Sequence, residues 1–153
     1  MKRIAFVVCL LGLSNMVGAA SLWSGTWEMR DDAPDFRLTM TVEDIGTGRR
    51  LTYKLTSPAT NDETISGIVT PLDGTDAPML VDGMPWGQTM AIRMVDSRHS
   101  VTVLKFQGKQ TGISKAELSA DGKVMKAEDN NTLSSPNGLA GKHVARWDKQ
   151  YRT

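Results

Sequence analysis

The stretch Leu22-Trp23-Ser24-Gly25-Thr26-Trp27-Glu28-Met29 decides how the fold is read. A glycine two residues ahead of a tryptophan at the head of a strand lets a neighbouring chain cross close by, while the indole plugs the space beside it. That arrangement suits the closed end of a small barrel. From Trp27 onward, apolar and polar residues alternate with period two, the pattern of half-buried strands. Leu38, Met40 and Val42 share one face of a strand predicted over 36–45, with Thr39, Thr41 and Glu43 on the other. Gly46-Thr47-Gly48 turns the chain, and Leu51, Tyr53 and Leu55 resume the alternation against Thr52, Lys54 and Thr56. The two segments read as a hairpin.

Turn chemistry from Pro58 to Glu63 leads into a third alternating strand ending at Pro71, with Gly67 marking a bulge or a bend. Residues 72–88 carry Asp73-Gly74, Pro78, Asp82-Gly83, Pro85 and Trp86, and form the least regular part of the chain. They are expected to hold a short strand at Met79 to Val81 between two loops, a place for a lid or a mouth. Regularity returns with Met90, Ile92 and Met94, then a turn at Asp96-Ser97-Arg98. Strands follow over 99–107, 111–119 and 124–130, separated by Gly108-Lys109-Gln110 and by the hairpin turn Ala120-Asp121-Gly122-Lys123. A polar loop over 130–142 precedes a last strand, His143 to Gln150. Nine or ten strands joined by hairpins, with no helical repeat, give an all-β fold: an antiparallel up-and-down meander. Closing the sheet into a small barrel removes two long edges that would invite pairing with other molecules. A flattened sandwich is the structural alternative.

The first twenty of the 153 residues read as an export signal: Lys2 and Arg3, an apolar run from Ile4 to Val17, then Gly18-Ala19-Ala20. The run is shorter than the roughly 20 apolar residues a membrane span needs. Residues 21–153 are then one barrel domain, periplasmic or secreted. The single cysteine, Cys9, falls within the signal and is preceded by Val8, where lipid attachment wants a small residue. The domain must therefore hold by packing and strand pairing without a disulfide. The formal net charge is +1, and loss of Lys2 and Arg3 turns it slightly negative. Such a balance gives no pull toward nucleic acid or anionic lipid.

Gly25-Thr26-Trp27, the meander and the closing His143-Val144-Ala145-Arg146-Trp147-Asp148-Lys149 strand resemble the lipocalin or calycin pattern. The chain is more closely similar to small exported bacterial lipocalin-like proteins with no settled activity. Ser24-Gly25-Thr26-Trp27, the Asp73-Gly74 turn, Ser119-Ala120-Asp121-Gly122-Lys123 and Trp147-Asp148-Lys149-Gln150 carry that similarity. The resemblance implies that a late basic side chain packs over the first tryptophan and shuts the narrow end. It assigns barrel closure to Gly25, Trp27 and Arg146, with Lys149 as second choice. The chain departs from many secreted lipocalins in its missing disulfide, its short length and the absence of a helical segment after the barrel.

No motif for nucleophilic catalysis occurs, neither Gly-x-Ser-x-Gly nor Ser-x-x-Lys, so no catalytic residue is assigned. His99 and His143 lie far apart and read as surface or turn residues rather than ligands, and no metal or cofactor is expected. Asp31-Asp32-Ala33-Pro34-Asp35 lacks the ordered oxygen spacing of a calcium loop. The methionines at 29, 40, 79, 84, 90, 94 and 125 either fill an irregular core or line a pocket that adapts to apolar guests. Trp86 either caps a mouth or folds back on the rim. The resulting expectation is a barrel that holds a small hydrophobic molecule, each buried methylene contributing about 0.8 kcal/mol. Met40, Tyr53, Met90, Met94 and Leu104 would form the wall, with Trp86 at the entrance. The alternative is a solid-cored module that contacts another exported protein through 72–88 and 130–142.

Overall fold

The computed structural model describes residues 20–30, 36–132 and 140–151. The predicted export segment lies outside them except for Ala20, as do Asp31, Asp32 and Asp35 and positions 133–139 of the last loop. Ten strands follow one another: β1 (Gly25–Arg30), β2 (Arg37–Asp44), β3 (Arg49–Thr56), β4 (Glu63–Thr70), β5 (Asp73–Val81), β6 (Met84–Met94), β7 (His99–Phe106), β8 (Lys109–Leu118), β9 (Val124–Asn131) and β10 (Gly141–Gln150). All pairs are antiparallel, each strand pairs with its sequence neighbours, and β1 pairs with β10 to close a barrel. Closure runs from Thr26 opposite Gln150 to Arg30 opposite Arg146, so the sheet keeps no free edge strand and the sandwich alternative is set aside.

Residues 72–88 are corrected: they hold all of β5 and the start of β6 rather than two loops around a short strand. Asp82 and Gly83 both take left-handed backbone angles, φ 48° and 81°, the requirement of a tight two-residue hairpin turn. Pro78 sits where the β5–β6 register shifts, so its missing N–H falls at a bulge instead of breaking a strand.

Alternation sends one face of every strand into the lumen. Trp27 and Leu118 are wholly buried, and with Trp23, Met40, Leu51, Ile68, Ile92, Met125 and Trp147 they form one continuous core. This core fills the end that carries the N-terminal segment, the 45–48 and 119–123 turns and the chain's finish. The opposite end carries the 57–62, 82–83 and 107–108 turns and is called the mouth below. Outside, Lys115, Glu117, Lys126 and Glu128 stand on the exposed face of β8 and β9.

Candidate functional site

The closed end is built first by Trp27. Its ring lies beneath the Lys149 ammonium, 5.2 Å from Nζ to the ring centroid, and its Nε1 donates to the Trp23 carbonyl at 2.9 Å. Lys149 Nζ also donates to the Leu22 carbonyl at 2.9 Å. Gly25 has φ +130°, and a Cβ there would sit 2.8 Å from Lys149 Cε, so the glycine gives the lysine stem its path. The closing cation is therefore Lys149, and the assignment of that role to Arg146 is corrected. The register explains why: Trp27 lies opposite Lys149, whereas Arg146 lies opposite Arg30. Arg146 has the parity of Asp148, with which it pairs, and points away from the buried Trp147 face.

A second cation, Arg49, seals the same end. Its Nε donates to Asp44 Oδ1 at 2.9 Å, Nη2 to Ser21 Oγ at 3.1 Å and Nη1 to Met94 Sδ at 3.5 Å, with Cζ 5.6 Å from the Trp23 ring centroid. Trp23 Nε1 donates to the Ser97 carbonyl at 2.9 Å. Burial pushes the Asp44 carboxyl up, but hydrogen bonds from Ser24, Arg49 and Ser21 outweigh it and hold the group well below its ordinary value. Burial lowers the Lys149 ammonium.

The six residues assigned to a ligand wall and entrance divide between the ends. Met40 belongs to the core, and Met94 packs against it beside Arg49. Met90 and Leu104 are direct cross-strand partners, and Met90, like Met94, packs against the core. Tyr53 pairs with Met40 and faces the lumen just beyond the core. Trp86 is in β6, half-buried, with its ring edge-on to Phe106 at 5.8 Å between centroids. Its Nε1 is sealed from solvent and has no hydrogen-bond partner among the described residues.

Two groups at the mouth escaped the sequence reading, Phe106 and Asp129. β9 buries Met125 and Ala127, and Asp129 and Asn131 share their parity, whereas Lys126, Glu128 and Asn130 are exposed. The signal was present: a carboxylate two residues beyond an inward Met-x-Ala series is a polar group at a lumen position. Burial first, and then the Asp129 carboxylate, push the Tyr53 phenol up to about 12. Tyr53 is on β3 and Asp129 on β9, with β2, β1 and β10 between them on one side and five strands on the other. The interaction therefore crosses the lumen, through a medium that screens poorly. Asn131 closes over Gly112, where a Cβ would lie 2.3 Å from Asn131 Oδ1.

His99 sits on the outer face with Asp96 and Glu117, and hydrogen bonding to Asp96 raises it. His143 is at the mouth rim, opposite Asp129 in register. Among the described residues no group of three or more His, Cys, Asp or Glu could hold a metal ion. Two concavities stand out, and both are outside the lumen. One of about 660 Å³ lies at the closed end beside Asp44, Gly48 and Leu72; one of about 360 Å³ lies over the β4–β5 seam, lined by Ile65, Val69, Pro78 and Leu80 among others.

The fold and this lumen define a closed ten-strand antiparallel barrel, consistent with a calycin-like architecture. Set against protein-family models and curated proteins, the chain matches none.

Proposed function

We propose that this chain is an exported, periplasmic or secreted lipocalin-like binding protein that holds a small, largely apolar molecule in the mouth half of its barrel. The supporting observation is the Trp86 indole N–H, shut away from water with nothing to donate to. A buried, unsatisfied donor costs about 1–3 kcal/mol, so the wall carries a hydrogen-bonding capacity that a guest's oxygen would use. Around it, Met90, Leu104 and Phe106 offer apolar surface, and Tyr53 forms the floor on the packed core. Trp86, edge-on to Phe106, stands at the entrance. Met40 and Met94 support that floor from below.

Purification without denaturation followed by native mass spectrometry tests this, together with titration of the neutral dye N-phenyl-1-naphthylamine. The expected results are a co-purified small molecule or dye brightening, with Trp86→Ala changing dye affinity. An empty barrel that leaves the dye dark overturns the reading. N-terminal sequencing of material from the periplasm or medium tests export, with the chain expected to begin near Ser21.

A second reading, a module that contacts another exported protein, is favoured by the outer face. Ile65, Val69, Leu80 and Met84 are 47%, 55%, 37% and 70% exposed. They flank the concavity over the β4–β5 seam and reach the 82–83 turn. Loss of partner capture on charging Val69, with dye binding intact, would move the function to this face.

A further inference from the structure

We infer that the molecule held in the lumen bears a positive charge at its polar end, a small amine that places its nitrogen against Asp129 and also carries the oxygen that accepts from the Trp86 N–H. This rests on the proposed binding role and narrows it to a chemical class. Among the described residues, lumen-facing positions carry Asp44, Arg49 and Lys149 at the closed end and Asp129 in the mouth half. Arg49 and Lys149 are engaged at the closed end by Asp44 and by the Leu22 carbonyl. The mouth half holds Asp129, with Ser114 and His143 as its register neighbours on β8 and β10. Tyr53 on β3 and Asp129 on β9 take lumen-facing positions on opposite sides of the barrel, and the carboxylate adds to the upward push that burial gives the phenol.

The chemistry of that space discriminates between guests. An anionic head would be repelled by the Asp129 carboxylate, an effect the neutral Tyr53 O–H and Trp86 N–H donors offset only in part. An ammonium would donate a charge-assisted hydrogen bond to Asp129, and the Trp86 and Phe106 rings present aromatic surface to a cation. The Asp129 carboxylate also orients the guest, nitrogen toward β9 and apolar tail on the Tyr53 floor.

Isothermal titration of the full folded chain with n-octylamine, 1-octanol and octanoate, which share one tail length, tests the charge alone. Octylamine should bind about tenfold more tightly than octanol, and octanoate more weakly than either. Asp129→Asn should abolish the amine preference and leave octanol binding in place, whereas Glu128→Gln, one residue away on the outer face, should leave the ratio unchanged. Should Asp129→Asn fail to fold, the wild-type order of the three probes still decides the sign of the lumen. Equal binding of amine and alcohol, a preference for octanoate, or an amine preference that survives Asp129→Asn overturns the inference while the lumen remains a binding site. Failure of all three probes removes the binding role itself.

Discussion

Lys149 shows what one inward-facing residue contributes to closure. Its ammonium caps an indole and satisfies a carbonyl, while its stem passes over the one position in β1 without a Cβ. Lys149→Met keeps most of the stem and removes the charge, and urea melts should show a loss of about 1–2 kcal/mol. Arg146→Met removes an exposed ion pair with Asp148, and the same melts should move by less than about 0.5 kcal/mol. Gly25→Ala forces a Cβ onto a φ of +130° and against Lys149, and should cost about 1–3 kcal/mol. Asp44 makes closure sensitive to acid. Its folded carboxyl is held below the ordinary 3.8, so its contribution is fully present above that value and is lost as pH falls below it toward the folded value. Melts from pH 7 down to pH 2 should show stability falling below about pH 4, with a shallower fall in Asp44→Asn.

Most strands were legible because alternation and turn chemistry agreed. Ala120-Asp121-Gly122-Lys123 lies between two alternating runs and turns β8 into β9 as the sequence predicts. Asp82-Gly83 carries the same chemistry but stands between Pro78 and Pro85, and two residues with no N–H outweigh a turn signal when strands are judged by composition. What the sequence could not give was the place of those prolines in the ladder, one at a register shift and the other beside the turn. Gly83→Val puts a branched side chain at φ 81° and should cost about 1–2 kcal/mol, read as a lower melting temperature and faster amide exchange in β5 and β6. The site was less legible than the elements for a related reason. Parity predicts which face Asp129 takes, but only the closed circle of strands puts that face across from Tyr53. The choice between Arg146 and Lys149 likewise depended on the β1–β10 register, a pairing of residues more than a hundred positions apart.

At the scale of the molecule, closure is the step that turns ten marginal strands into one body, and β10 performs it. It pairs β9 on one side and β1 on the other, and brings Trp147 between Met125 and Met29. A chain ending at Ala140 loses more than the local pairs. The unpaired backbones of β1 and β9 become edges, and removal of a core tryptophan alone costs about 3–5 kcal/mol against a typical domain stability of about 5–15 kcal/mol. The truncated chain should fail to give a folded monomer and should elute as oligomers in size-exclusion chromatography. A circular permutant separates this effect from mere disturbance of the termini. Ser21 and Tyr151 both flank the closed end, where Thr26 lies opposite Gln150, so a short Gly-Ser linker can join them while the chain is opened at the Gln107-Gly108 turn. Every strand pair survives in that permutant, and it should elute as a monomer with the far-ultraviolet spectrum of the parent. If instead the chain ending at Ala140 were monomeric with the parent's spectrum, the β1–β10 seam would be dispensable, and the stability of this protein would have to reside in the nine-strand sheet alone.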